Sequence, residues 1–152
     1  MGKQIIAINR KARRDYEIIE SFEAGMALKG TEVKSLRDGR LTFKDSYARV
    51  QGGEVFLVNA HISPYTHGNL QNHDPVRERK LLLHKYEIKR LTGKTEEKGL
   101  TLVPLRAYFV GGRAKVELAL AKGKKQRDRR ETIKRRVTER EVERELKRRQ
   151  QR

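Results

Sequence analysis

Two Gly-Gly pairs constrain this chain more than any other feature. Gln51-Gly52-Gly53-Glu54 and Val110-Gly111-Gly112-Arg113 each sit between strand-like runs. Paired glycines adopt the positive φ that two-residue hairpin turns need, so each pair predicts a tight antiparallel hairpin. The first joins residues 43–50 to 54–62, and the second joins 100–110 to 114–121. In the last run Val116, Leu118 and Leu120 alternate with Lys115, Glu117 and Ala119, the period of a half-buried strand. Pro104 falls inside the partner run and predicts an edge position or a bulge. Residues 16–24 and the short run 4–8 are further strands. Four to six short antiparallel strands with tight turns predict a mainly β chain folded as a small barrel rather than a parallel sheet.

Two helices carry end signals. Thr31 can N-cap residues 32–38, where Val33 and Leu36 form an apolar edge and Gly39 supplies the stop. Leu81, His84, Ile88 and Leu91 share one face of a second helix running towards Glu97, with Gly99 beyond it. Residues 63–75 are polar, with two prolines and a glycine, and predict a long surface loop.

Composition separates a body, residues 1–121, from a tail, residues 122–152. The chain of 152 residues carries +17; the body holds 22 basic and 14 acidic side chains, the tail 15 and 6. Only Ile133, Val137, Val142 and Leu146 are aliphatic in the tail, and they form no common stripe. Such a segment cannot bury enough apolar surface to offset its ordering entropy, so it is expected to be disordered when free. It is nonetheless compatible with a helix. Thr138-Glu139-Arg140-Glu141 is a capping-box pattern, and Glu143–Lys147 and Glu145–Arg149 are favourable i,i+4 pairs. Arg136, Arg140, Arg144 and Arg148 stack like charge on one face, a repulsion that phosphates would relieve. The expected behaviour is a disordered tail that becomes helical on an RNA surface.

Several function classes fall away. No apolar run reaches the roughly 18 residues that cross a bilayer, and the start of the chain does not read as a secretory leader. With no cysteine there is no disulfide framework or thiolate zinc site, which fits a cytoplasmic protein. His61, His67 and His73 are spaced by six, but nothing in that spacing makes them converge on a metal. No nucleophile elbow, Walker loop, dinucleotide fingerprint or His-Glu-x-x-His appears. The expectation is no enzyme, no cofactor and no metal.

The basic residues make the stronger case. Arg10-Lys11-Ala12-Arg13-Arg14 precedes Tyr16, Arg77-Glu78-Arg79-Lys80 precedes Leu81, and Lys34 and Arg37 lie on one side of the first helix. A single charge run is ordinarily a solvated face. Three clusters and a tail of one dominant sign instead point to a polyanion, with Lys and Arg releasing counterions from phosphates. Tyr16, Tyr47, Tyr65 and Tyr86 are candidate stacking platforms, though strand tyrosines usually pack across the sheet.

Ordered motifs then narrow the class. Phe22-Glu23-Ala24-Gly25, Leu28-Lys29-Gly30-Thr31-Glu32-Val33-Lys34-Ser35-Leu36-Arg37 and Arg79-Lys80-Leu81-Leu82-Leu83 are followed by Gly99-Leu100-Thr101-Leu102-Val103-Pro104-Leu105, Ala121-Lys122-Gly123-Lys124-Lys125 and Asp128-Arg129-Arg130. In this order, over essentially the whole chain, they resemble the bacterial SsrA-binding protein (small protein B) family.

The resemblance implies an oligonucleotide-binding-type β-barrel with two or three flanking short helices. It implies a monomeric, non-catalytic partner of transfer-messenger RNA, which works with elongation factor Tu at the ribosome to rescue stalled translation. The body would bind the transfer-RNA-like domain, and the tail would probe the decoding centre and the empty mRNA channel. Position by position, the RNA-facing set is Asn9, Lys11, Arg13, Tyr16, Glu23, Lys80, Leu81 and Leu82, joined by Lys34 and Arg37 and, at the root of the tail, Lys122, Lys124 and Lys125. The decoding-centre set is Gly123, Lys124, Lys125, Arg127, Asp128, Arg129 and Arg130. Many relatives carry His just before the Asp-basic-basic motif, whereas Gln126-Arg127 stands here, and Arg can stack on a base in its place. Glu23, an acid among cations, would orient basic side chains or accept from a ribose hydroxyl. A ribosomal or general structured-RNA-binding barrel is the alternative, and a histidine-metal nuclease is the enzymatic one.

Overall fold

Antiparallel hairpins dominate the computed structural model, which describes residues 2–65, 72–97 and 99–124 together with Arg140 and Arg144. The elements run β1 (Gln4–Ile8), α1 (Arg10–Asp15), β2 (Tyr16–Met26), α2 (Gly30–Arg37), β3 (Leu41–Thr42), β4 (Tyr47–Gln51), β5 (Glu54–Val58), β6 (His61–Ile62), β7 (Arg79–Leu82), α3 (Lys85–Thr95), β8 (Leu100–Val110) and β9 (Arg113–Gly123).

Six strands close into a ring, in the order β8-β4-β5-β7-β2-β9 and back to β8, with every pairing antiparallel. Closure leaves the ring no free edge, the usual solution of small barrels to exposed backbone. β1 lies outside it, on the second half of β8. β8 serves three neighbours because β4 pairs with its first half and β1 with its second, while β9 runs along its other side, where the register shifts between Pro104 and Arg106. Pro104 thus marks a bulge in a strand interior to the sheet, the second of its two expected settings. Both hairpins turn where the glycines stand, with positive φ at Gly52, Gly53, Gly111 and Gly112.

Several elements depart from the sequence expectations. The runs at 43–50 and 54–62 are interrupted by left-handed Asp45 and Asn59, which splits β3 from β4 and β5 from β6. The chain therefore has nine strands among its described residues. Leu81 belongs to strand β7, not to the second helix. The apolar triplet 81–83 fits either period, and pairing with β5 and β2 to complete the ring decides it. α3 begins only after His84. Thr31 does not cap α2. Lys29 is the N-cap residue, its backbone N–H donating to Glu32 Oε1 at 2.8 Å, and Gly39 ends the helix with φ +71°. α1 had no periodic signal. It forms because Asn9 Oδ1 accepts from the Ala12 amide, while its basic last turn suits the helix dipole.

Inside the ring pack Phe22, Ala24, Met26, Val55, Leu57, Leu81, Leu102, Phe109, Val116, Leu118 and Leu120, with Leu36 of α2 and Leu91 of α3 joining from the helices. A second, smaller cluster lies on the outer side of the barrel wall, where Ala12 seats α1 on Val103, Leu105, Ala119 and Ala121. That is why the expected half-buried alternation of β9 fails at its far end: both faces are covered there.

Buried charge ties α2 to the barrel. Glu32 Oε2 accepts from Arg79 Nε at 2.6 Å, with both side chains fully buried, and Glu32 Oε1 accepts from Arg77. Arg79 donates further to the carbonyls of Ala60, Asp74 and Pro75. Burial opposes the charge of Glu32, but hydrogen bonds from Arg77, the Lys29 amide and Arg79 outweigh it and hold the carboxyl below its ordinary value. Burial lowers the guanidinium of Arg79 against the opposing pull of Glu32. No helix among the described residues is long and apolar enough to cross a membrane.

Candidate RNA interface

The register of the barrel wall sorts side chains between core and surface. On β2, Phe22 and Ala24 point inward, so Ser21 and Glu23 face out. Across the sheet, Glu23 lies opposite Glu117 of β9, which lies opposite Arg106 of β8. The next row is Gly25, Lys115 and Tyr108. Leu82 of β7 lies opposite Gly25, and a Cβ on that glycine would stand 3.4 Å from the Leu82 Cβ. Leu82 is 53% exposed, whereas Leu81 beside it is 1% exposed. Lys80, on the outward parity with Leu82, is exposed and pairs with Glu54 at 3.2 Å. One continuous outer surface therefore carries Lys80, Leu82 and Glu23 towards the seat of α1.

α1 closes that surface with a block of cations. Its buried Ala12 fixes the helix, leaving Arg10, Lys11 and Arg13 exposed and, among the described residues, without an ion pair. Asn9 works structurally: besides capping α1, its Nδ2 donates to the Pro104 carbonyl at 2.8 Å, locking the helix to the β8 bulge. Tyr16 packs partly against the outer cluster. A groove of about 660 Å³ separates α1 from residues 41–47, and Asn9, Lys11, Tyr16, Lys44 and Tyr47 line it.

The root of the tail meets this block. Gly123 pairs with Tyr16, and the Lys124 amide donates to the Asp15 carbonyl at 3.0 Å. Lys122 pairs with Glu17 and lines a smaller groove, of about 340 Å³, with Arg90 and Lys94 of α3.

The expected RNA-facing residues thus separate. Asn9, Lys11, Arg13, Tyr16, Glu23, Lys80 and Leu82 share one surface with Gly123 and Lys124. Leu81 does not belong to it, because closing the ring turns it into the core. Arg79, part of an expected surface cluster, is buried against Glu32. Lys34 and Arg37 are exposed on α2, which packs on β6, away from α1 on β2 and β8; the Lys34 ammonium sits 5.5 Å from the Tyr65 ring. Lys125, Arg127, Asp128, Arg129 and Arg130 lie outside the described residues, as do His67 and most of the tail. Arg140 and Arg144 are exposed and in helical conformation.

The histidines do not converge among the described residues. His73 is buried, its Nε2 bonded to the Ile62 carbonyl and its Nδ1 to the Thr31 hydroxyl, both at 2.9 Å. A carbonyl only accepts, so Nε2 carries the hydrogen and Nδ1 accepts from Thr31 in the neutral ring. His61 is exposed, and no group of three His, Cys, Asp or Glu among the described residues could hold a metal.

Arg106, Lys115, Tyr108, Lys3 and Lys44 extend the surface beyond the sequence-derived set, and Tyr47, one of the candidate stacking platforms, lines its groove. Arg106 had a signal, being the lone charge in an apolar strand. Tyr108, two residues on, had none, because an outward tyrosine in a strand looks like an inward one until the bulge is known.

A small closed β-barrel with a cationic helix seated on its outer wall defines a class of proteins built to meet polyanions. Within that class, the family model described as SmpB protein matches residues 6–148, and the chain belongs to that family. It is 63% identical over 148 residues to an SsrA-binding protein of Syntrophobacter fumaroxidans, covering 97% of this chain and 92% of that one. An SsrA-binding protein of Pelotomaculum thermopropionicum is 59% identical, with 97% and 96% covered. Among solved structures, a chain from work titled "tmRNA-SmpB: a journey to the center of the bacterial ribosome" superposes with a TM-score of 0.67 at 60% identity, covering 79% of this chain and 85% of that chain.

Proposed function

We propose that this chain is a non-catalytic adaptor that binds the transfer-RNA-like domain of transfer-messenger RNA and brings it, with elongation factor Tu, to the A site of stalled ribosomes. The observation that carries this reading is the junction at Tyr16. There the cationic helix, the groove beside it and the start of the tail meet through the Tyr16–Gly123 pairing. The body grips RNA with Lys11, Arg13, Tyr16, Glu23, Lys80 and Leu82, with Asn9 holding α1 in place. Lys34 and Arg37, on a separate surface, suit a second RNA contact. Lys122, Lys124 and Lys125 lead into a tail in which Gly123, Arg127, Asp128, Arg129 and Arg130 contact the decoding centre. The rest of the tail folds as a helix in an mRNA channel that holds no mRNA. Ordering that depends on a vacant anionic channel senses the stalled state without catalysis. The protein acts as a monomer in the cytoplasm.

Competition gel shifts test this reading. Unlabelled transfer-RNA-like domain should displace the labelled domain far better than bulk transfer RNA does. Equal displacement would favour a general structured-RNA-binding barrel. Affinity should also fall with salt at a log–log slope of about −0.7 to −0.9 per phosphate neutralised.

A further inference from the structure

Tyr86 is the most exposed large apolar side chain among the described residues, at 72%, yet its ring is held in place. It lies against the His84 imidazole with 9° between the planes and 5.5 Å between the centroids, an offset stack. No other ring and no cation contacts it among the described residues. α3 sets its direction. Ile88 and Leu91 turn one face of the helix onto the barrel, which leaves Tyr86 and Lys89 on the outer side. Charge around the ring is mostly of one sign: α3 carries Lys85, Lys89, Arg90 and Lys94 against one acid, Glu87. Glu87 caps the helix, its Oε1 accepting from the His84 amide at 3.1 Å. Arg90 pairs with Glu20 and Lys94 with Glu97, so Lys85 and Lys89, before and after Tyr86, have no ion pair among the described residues. The helix also joins two parts of the RNA surface. Exposed Leu82 stands two residues before His84, and the far half of α3 lines the groove that holds Lys122 at the root of the tail.

We propose that the His84–Tyr86 stack is a docking platform for one unpaired base of the transfer-RNA-like domain, the base laying its face on Tyr86 while Lys85 and Lys89 meet the phosphates beside it. The proposal rests on the RNA-binding reading above and extends it to α3. A single exposed aromatic is ordinary on a protein surface. This one is held flat by a second ring, flanked by uncompensated cations and continuous in chain with the exposed Leu82. Every base has a π-face, so a flat ring accepts any of the four, and the cations beside it neutralise the phosphates on either side. His84 fixes the plane of Tyr86 before the RNA arrives, so less side-chain freedom is lost on binding. Bases within a duplex have both faces covered by their neighbours. The platform therefore selects a nucleotide that has left its stack.

The test uses the full chain and the transfer-RNA-like domain, with the fluorescent base 2-aminopurine placed in turn at each unpaired position. Stacking quenches that base. One position should be quenched by wild type and by Lys89→Ala, but not by Tyr86→Ala. Affinity should fall about tenfold in Tyr86→Ala, the loss of one stacked base, and stay within about twofold of wild type in Tyr86→Phe, which keeps the ring. Lys89→Ala should make the salt slope shallower by about 1, whereas Tyr86→Ala should leave it unchanged, since no phosphate contact is lost. Both side chains are exposed, so the melts of all three variants should stay close to that of wild type. Wild-type affinity and quenching in Tyr86→Ala would overturn the platform. That holds even if the variant loses association with the ribosome, which would give the ring a different partner. An equal loss in Tyr86→Phe would overturn stacking in favour of the hydroxyl. Equal wild-type affinity for bulk transfer RNA, with the Tyr86→Ala loss intact, would overturn the adaptor reading and leave the platform standing.

Discussion

Glu32 and Arg79 meet at 2.6 Å with neither side chain exposed, joining α2 to β7. Removing one partner would strand a buried charge, which costs far more than losing an exposed pair. Arg79→Ala is therefore expected to destabilise the body by about 3–5 kcal/mol. Arg49→Ala, which breaks the exposed 2.8 Å pair with Glu78, should cost less than about 1 kcal/mol. Urea unfolding of the two variants checks the contrast.

The same pair makes the body acid-sensitive. The carboxyl of Glu32 lies below its ordinary value of 4.5 in the folded state. A depressed carboxylate contributes stability that is present above the unfolded value and is lost as pH falls through the folded one. Stability should hold from neutrality down to about pH 4.5 and then decline. Glu32→Gln should be less stable at pH 7 and show a shallower acid decline. Denaturant midpoints measured from pH 7 to pH 2.5 would reveal it.

Adjacent leucines should behave oppositely. Leu81→Ala opens a cavity in the barrel core and should cost about 2–5 kcal/mol of stability. Leu82→Ala changes an exposed side chain, so its melt should barely move while affinity for the transfer-RNA-like domain falls. Melting and gel shifts on both variants distinguish core from interface.

Asn9 should act on RNA through the fold. Asn9→Ala deletes the α1 cap and the bond to Pro104, with an expected loss of about 1–2 kcal/mol. Because α1 carries Lys11 and Arg13, affinity should fall as well, and Asn9→Asp, which keeps the cap, should restore part of it. Hydrogen exchange at the amides of 10–15 reports the helix independently of RNA.

Truncation should separate binding from rescue. A chain ending at Lys124 keeps all of β9 and should bind the transfer-RNA-like domain yet fail to support tagging on stalled ribosomes. Normal tagging by this variant would refute the channel-sensing role.

The hairpins at Gly52-Gly53 and Gly111-Gly112, the bulge at Pro104 and the inward set Val116, Leu118 and Leu120 were legible in the sequence because each depends on local backbone preference or a simple period. So were the cationic block at 10–14 and the ordered motifs that identify the family. Only the tertiary structure decided that Leu81 and Arg79 are interior and that Leu82 and Lys80 share a surface with Glu23. These outcomes depend on which strands meet and in what register. One residue of bulge or one strand closing a ring exchanges inside for outside, and no local preference records that choice.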